Sequence, residues 1–178
     1  MRRIVLGHDE SGKTQVLADE DVPPITIAML PGAQVHRMWE LDETPSLPVT
    51  TAQAPGVATS FFPGPNGARF GFITVPPGLS YDPPAHFTPE DLEAAAAEAE
   101  AKLPGMFSTF NPEQPGIHAT QTVDFVVVVS GEGLLRTDTG VEIPLHPGDC
   151  IVQNGSGHAW HNNGTEPFVF CYSLIGAR

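Results

Sequence analysis

An all-β fold is predicted by three observations on this sequence. Short apolar runs are separated by tight turns across residues 116–164: Ser130-Gly131-Glu132-Gly133, Asp138-Thr139-Gly140, Pro147-Gly148-Asp149 and Asn163-Gly164. Such punctuation reads as an antiparallel meander or Greek key. The 178 residues include 19 Pro and 18 Gly beside 40% hydrophobic residues, a balance that suits a turn-rich β-protein. Third, polar residues recur at strand spacing. In a strand, His118, Thr120, Thr122 and Asp124 point to one face, and so do His158, Trp160 and Asn162. If these two segments are neighbours, their imidazoles and carboxylate converge.

Along the chain, residues 1–80 read as short strands at Arg2–Leu6, Thr14–Ala18, Ile25–Leu30, Gln34–Leu41, Val57–Phe61 and Arg69–Val75. Gly12-Lys13, Pro23-Pro24, Pro31-Gly32 and the Pro-rich segment 45–55 punctuate them. They supply extra strands that flank or complete a barrel. His36, in one of them, is expected to pack rather than to ligate. Residues 81–115 form an insertion with one helix near 89–103. Thr88 caps it, Pro89 takes the first helical position and Glu90 and Asp91 follow in the first turn. Leu92–Leu103 is rich in Ala and Glu, and Pro104-Gly105 ends it. Its thin apolar stripe suits the outside of the molecule or a lid. Residues 116–176 hold the core strands, and the whole chain, 1–178, is expected to be one domain.

The motifs of the last third resemble those of the cupin superfamily. His118-x-Thr120-x3-Asp124-x6-Gly131 is similar to the first cupin motif, with Thr120 in place of its second His and Asp124 in place of its Glu. Gly155-x2-His158-x3-Asn162 is similar to the second, with Gln153 where Pro is usual, and Pro147-Gly148-Asp149 matches the turn that often precedes it. The H-x-T-x-T-x-D and Q-x-G-x-x-H-A-W forms resemble a subgroup of RmlC-like small cupins. The resemblance implies a double-stranded β-helix, or jelly-roll, barrel. It also implies a site at His118, Thr120, Asp124 and His158, in a family whose activities include dioxygenases, decarboxylases, isomerases and cyclases.

Two imidazoles and a carboxylate on one face suit one divalent Fe, Mn, Ni or Zn, so His118, Asp124 and His158 are the candidate ligands. Thr120 offers a hydroxyl to position water or substrate. Aspartate reaches about 1.5 Å less far than glutamate, which weakens such a site. The same residues can instead form a satisfied polar network with no metal. Trp160, Val126, Gln153 and Asn162 are candidate substrate contacts around a largely apolar interior, which describes a pocket for a small organic molecule. Phe125, Val127 and Val129 make the other side of that strand apolar too, so the strand is expected to be covered on both faces. His161 alternates away from His158 and is expected at the surface.

Composition excludes other classes. A formal charge of −13 with eight Lys and Arg disfavours nucleic acid and anionic membrane surfaces. No apolar run is long enough to span a bilayer, and the N-terminus lacks a signal-peptide core. Cys150 and Cys171, in predicted strands, read as buried free thiols of a cytoplasmic protein. No phosphate-binding loop or nucleophile elbow occurs. Three functions remain: a mononuclear-metal enzyme, dioxygenase-like in the first instance; a metal-free small-molecule-binding protein; or a metal-independent isomerase or cyclase using His and Asp as an acid–base pair. A homodimer is expected, because unpaired sheet edges need cover.

Overall fold

The computed structural model describes residues 1–52 and 60–178. Among the described residues, ten strands and one α-helix run in the order β1 (Arg2–His8), β2 (Thr14–Asp21), β3 (Gln34–Leu41), β4 (Ala68–Val75), α1 (Pro89–Lys102), β5 (Thr122–Ser130), β6 (Gly133–Thr137), β7 (Glu142–Leu145), β8 (Cys150–Asn154), β9 (His158–His161) and β10 (Phe168–Gly176). Five of them form one sheet in the order β3-β4-β10-β5-β8, three a second sheet, β7-β6-β9, and β1 and β2 a separate hairpin. This is a strand-rich arrangement with additional N-terminal strands. Every pairing is antiparallel.

Alternation decides which side chains face inward. Along β5, Thr122, Asp124, Val126 and Val128 are buried, and along β10 Phe168, Phe170, Tyr172 and Leu174 are. The second sheet contributes Leu135, Leu145 and Trp160 to the same core. Phe168 and Phe170 are almost wholly enclosed, each adding roughly 1.5–3 kcal/mol of apolar burial. The β5–β6 turn needs its glycine: Gly131 has φ 72°, and a Cβ there would strike the Pro167 carbonyl.

Beneath β3 and β4 lies a buried ionic cluster. Arg69 donates to Asp42 at 2.7 Å and to the carbonyls of Leu41 and Ser60 at 2.8 and 3.2 Å, and Arg37 pairs with Glu40. The N-terminal hairpin lies over the outer side of β3, where Arg3 reaches the Met38 carbonyl and sits over the Trp39 ring.

The capping box predicted for α1 is present, with Asp91 N–H donating to Thr88 Oγ1 and Thr88 N–H to Asp91 Oδ2. Ala95, Ala99 and the capping Leu103 are its buried residues. On the same face Glu98 accepts from Ala28 N–H at 2.9 Å and Lys102 donates to the Thr26 carbonyl at 2.8 Å. These contacts correct the reading of Ile25–Leu30 as a strand. Only Ile25 bridges, to Val35, and the segment then turns under the helix.

Three further expectations change. Residues 57–59 of the strand expected at Val57–Phe61 lie outside the described residues, and Phe61 stands in a bend. The outer side of β5 is not covered: Phe125, Val127 and Val129 are 51%, 42% and 50% exposed, as is Val152 of β8 at 59%. Cys150 is exposed and Cys171 half-buried, because both flank Val127 on that outer face. Both are free thiols.

Candidate functional site

His118 and His158 meet across a single antiparallel bridge in which each backbone N–H donates to the other's carbonyl, at 2.9 and 3.0 Å. His118 therefore belongs to the edge of the second sheet rather than to β5. The chain crosses between sheets over residues 119–121, and β5 begins at Thr122. Their rings lie 4.3 Å apart. His118 Nδ1 contacts the Gly116 carbonyl at 3.1 Å and His158 Nδ1 the Ser156 carbonyl at 2.9 Å. A carbonyl oxygen only accepts, so each Nδ1 carries its proton and each Nε2 keeps a lone pair. The sequence thus orients two neutral imidazoles through local backbone acceptors two residues upstream.

A column of rings continues from this pair in both directions. Phe107 stacks on Phe110 at 5.2 Å, and Phe110 on His118 at 5.0 Å with planes 22° apart. On the other side Trp160 meets His158 edge-on at 5.5 Å and Phe170 at 4.4 Å. Tyr81 donates its hydroxyl to the Trp160 carbonyl at 2.6 Å and packs edge-on against His161, which is half-buried beneath it. Burial raises the Tyr81 phenol to about 12.

Between the sheets lies a cavity of about 80 Å³. His118, Asp124, Val126, Gln153, His158 and Trp160 line it. Thr120 and Asn162 do not appear in its wall. The Thr120 hydroxyl is spent on Thr122 Oγ1, 2.6 Å away. Asn162 is tied into the frame: its Nδ2 donates to the carbonyls of Val75 and Glu166, and its Oδ1 accepts from Gly164 N–H. The lining missed by sequence reasoning comes from the N-terminal half and the insertion, including Val35, Ile73, Val75, Leu79, Tyr81, Met106 and Phe110. Apolar alternation in β3 and β4 was the signal for the first three. Nothing local marks Tyr81 or Phe110.

Burial dominates the electrostatics. It pushes the His118 imidazole down, and pushes His158, which also sits beside His118, down to about 4. It raises Asp124, a shift that a hydrogen bond from Thr122 partly opposes. For His158 the linkage has a definite sign. The unfolded chain takes up a proton near pH 6.5 and the folded one only near 4, so stability is full above 6.5 and falls as pH drops through that window. Urea unfolding should show the wild type losing about 2 kcal/mol more than His158→Gln between pH 7 and pH 5. Equal losses would mean that His158 is not desolvated. Asp124 acts in the opposite sense, so the comparison with His158→Gln is what isolates the imidazole.

The expected metal ligands come only partly together. The two imidazoles converge and Asp124 lines the same cavity, yet among the described residues no three His, Cys, Asp or Glu stand close enough to hold an ion. The donor set as arranged does not fit a mononuclear centre.

Residues 106–174 match the family model described as Cupin domain. The match covers that segment alone and does not distinguish the RmlC-like subgroup. Among curated proteins, the chain is similar to oryzines biosynthesis cluster protein J of Aspergillus oryzae, 40% identical over 56 residues that make up 32% of this chain and 31% of that one. It is also similar to the cupin-domain-containing oxidoreductase virC of Hypocrea virens, 39% identical over 65 residues, 35% of this chain and 34% of the relative. These matches span about a third of each relative's length. A predicted oxalate decarboxylase of Thermotoga maritima shares 14% identity at a TM-score of 0.47, over 90% of this chain and 98% of that one. Among the described residues no helix is long and apolar enough to cross a membrane.

Proposed function

We propose that this chain binds one small, mostly apolar organic molecule between its sheets without needing a metal ion. The observation that carries this reading is the cavity itself, apolar except for a few buried polar groups: His118, His158, Asp124 and Gln153. Two similar proteins are named for biosynthesis clusters or oxidoreductase activity, a setting that accords with small organic substrates. An oxygenase reading would draw on an ion held by His118, Asp124 and His158, and the arrangement of those donors does not favour it. A second reading, metal-independent proton transfer of the isomerase or cyclase kind, is favoured by a neutral imidazole pair and a carboxyl raised by burial that line the same cavity. His118 and His158 would then take up a proton at Nε2, and Asp124 would supply or hold one.

Elemental analysis of protein purified without chelators or a His-tag tests the main reading. Well below one equivalent of Fe, Mn, Ni or Zn per chain is expected, with ligand binding unchanged by EDTA. One equivalent of metal, lost together in a His118→Ala/His158→Ala variant that still folds, would overturn it.

Two free thiols accord with a reducing compartment such as the cytoplasm. The homodimer reading has a surface to use in the bare outer side of β5 and β8, which is uncharged at Phe125, Val127, Val129 and Val152 in a chain of charge −13. Sedimentation should show a dimer that Phe125→Glu converts to monomer; a wild-type monomer at micromolar concentration would refute it.

A further inference from the structure

Among the described residues, two atoms in the cavity wall have no hydrogen-bond partner. Asp124 Oδ1 and Gln153 Nε2 are both buried and without a hydrogen-bond partner, and both residues line the cavity. They are register partners on β5 and β8, so their side chains leave adjacent strands on the same face. One atom accepts and the other donates, yet they do not bond each other. An unmade hydrogen bond is costly for a buried group, and native folds leave few of them. The other buried side-chain nitrogens without a partner, in Arg3, His8, His36 and His161, belong to residues outside the cavity wall. Inside it, the two unmet atoms are neighbours of opposite sense.

We propose that Asp124 and Gln153 form a paired clamp for a neutral head group that carries an N–H or O–H donor beside a carbonyl acceptor, as in a lactam or a primary carboxamide. The donor would meet Asp124 Oδ1 and the carbonyl would accept from Gln153 Nε2. The proposal rests on reading the cavity as a small-molecule site and specifies what that site selects. Alternatives fail on chemistry. An anionic carboxylate has no proton for Asp124 and brings like charge to it. An ammonium pairs with Asp124 but leaves Gln153 unmet. A purely apolar guest leaves both atoms unsatisfied.

Size narrows the head further. The cavity, about 80 Å³, is roughly half the ~150 Å³ of an apolar cavity that accepts benzene, so the enclosed part of the ligand is a handful of atoms. Trp160 and Phe170 would flank its apolar remainder, and the imidazoles of His118 and His158 would approach it from the other sheet.

The test uses the full chain and four probes of similar size, titrated by protein-detected NMR. 2-Pyrrolidinone has donor and acceptor together, N-methyl-2-pyrrolidinone and γ-butyrolactone have the acceptor alone, and cyclopentane has neither. The expected result is that 2-pyrrolidinone binds at least about tenfold more tightly than the two acceptor-only probes, the effect of one buried hydrogen bond. In Asp124→Leu, and in Asp124→Ala as a second replacement, that advantage should vanish, and in Gln153→Leu all three carbonyl probes should weaken relative to cyclopentane, whose retained binding also reports that the variants are folded. Equal binding of 2-pyrrolidinone and γ-butyrolactone, an advantage that survives the Asp124 substitutions, or carbonyl probes that hold their affinity relative to cyclopentane in Gln153→Leu would overturn the clamp and leave the small-molecule cavity standing. Failure of every probe to bind, cyclopentane included, would remove the cavity reading and the clamp with it.

Discussion

Trp160→Ala should lower stability by about 3–5 kcal/mol, the range for removing a large aromatic side chain from a packed core, and should abolish ligand binding with it. Trp160 is 6% exposed, and its ring lies 4.4 Å from Phe170, 5.5 Å from His158 and 6.3 Å from Phe168. It is at once a wall of the cavity and the link between the imidazole pair and the core of the five-stranded sheet. Trp160→Phe keeps the link and should recover most of the stability while leaving the cavity larger. Urea unfolding of all three proteins, with cyclopentane titrations, separates the two roles. A loss below about 1 kcal/mol for the alanine variant would show that the ring is not packed as described.

The second large effect lies away from the cavity. Arg69→Ala is expected to cost about 3–5 kcal/mol, the cost of removing one partner from a buried ion cluster. The Arg69 side chain is 4% exposed, lies 4.0 Å from Glu40 and serves the carbonyls of Leu41 and Ser60 as well as Asp42. Asp42 is 63% exposed, so Asp42→Ala should cost under about 1 kcal/mol. Arg69→Met, which keeps the apolar stem but no donor, should recover little if the carbonyls and Glu40 set the cost. Denaturant unfolding of the three variants decides this. A mild Arg69→Met beside a severe Arg69→Ala would assign the effect to packing instead.

Much of the C-terminal half was legible because its signals are local. Gly131, Gly140 and Gly148 each take the positive φ that their turns require, and alternation along β5 and β10 sorts inside from outside with little ambiguity. Strand spacing put His118 and His158 together only on the condition that their segments are neighbours, and the bridge between them meets it. The same periodicity misled where the backbone leaves one sheet for another. Reading residues 118–124 as one strand sent Thr120 into the cavity, whereas the crossing at 119–121 turns its hydroxyl onto Thr122. Ile25–Leu30 has the apolar content of a strand, but its partners are Glu98 and Lys102, some 70 residues away, and no local pattern announces them. Asn162 looked like a site residue because of where it falls in the motif. Its three hydrogen bonds are all to the backbone of its surroundings.

The connection between β4 and β5 supplies Leu79, Tyr81, Met106 and Phe110 to the cavity, and none of these four belongs to a strand. Gly116, at its end, has φ 84° and no room for a Cβ beneath the Tyr81 ring, which pins the connection against the sheets. Frame and roof are therefore written in different parts of the sequence. The sheets can stay constant while substitutions in this one connection reshape what is held beneath it. A graft of residues 76–117 between related chains would then carry ligand preference with it as a transferable module.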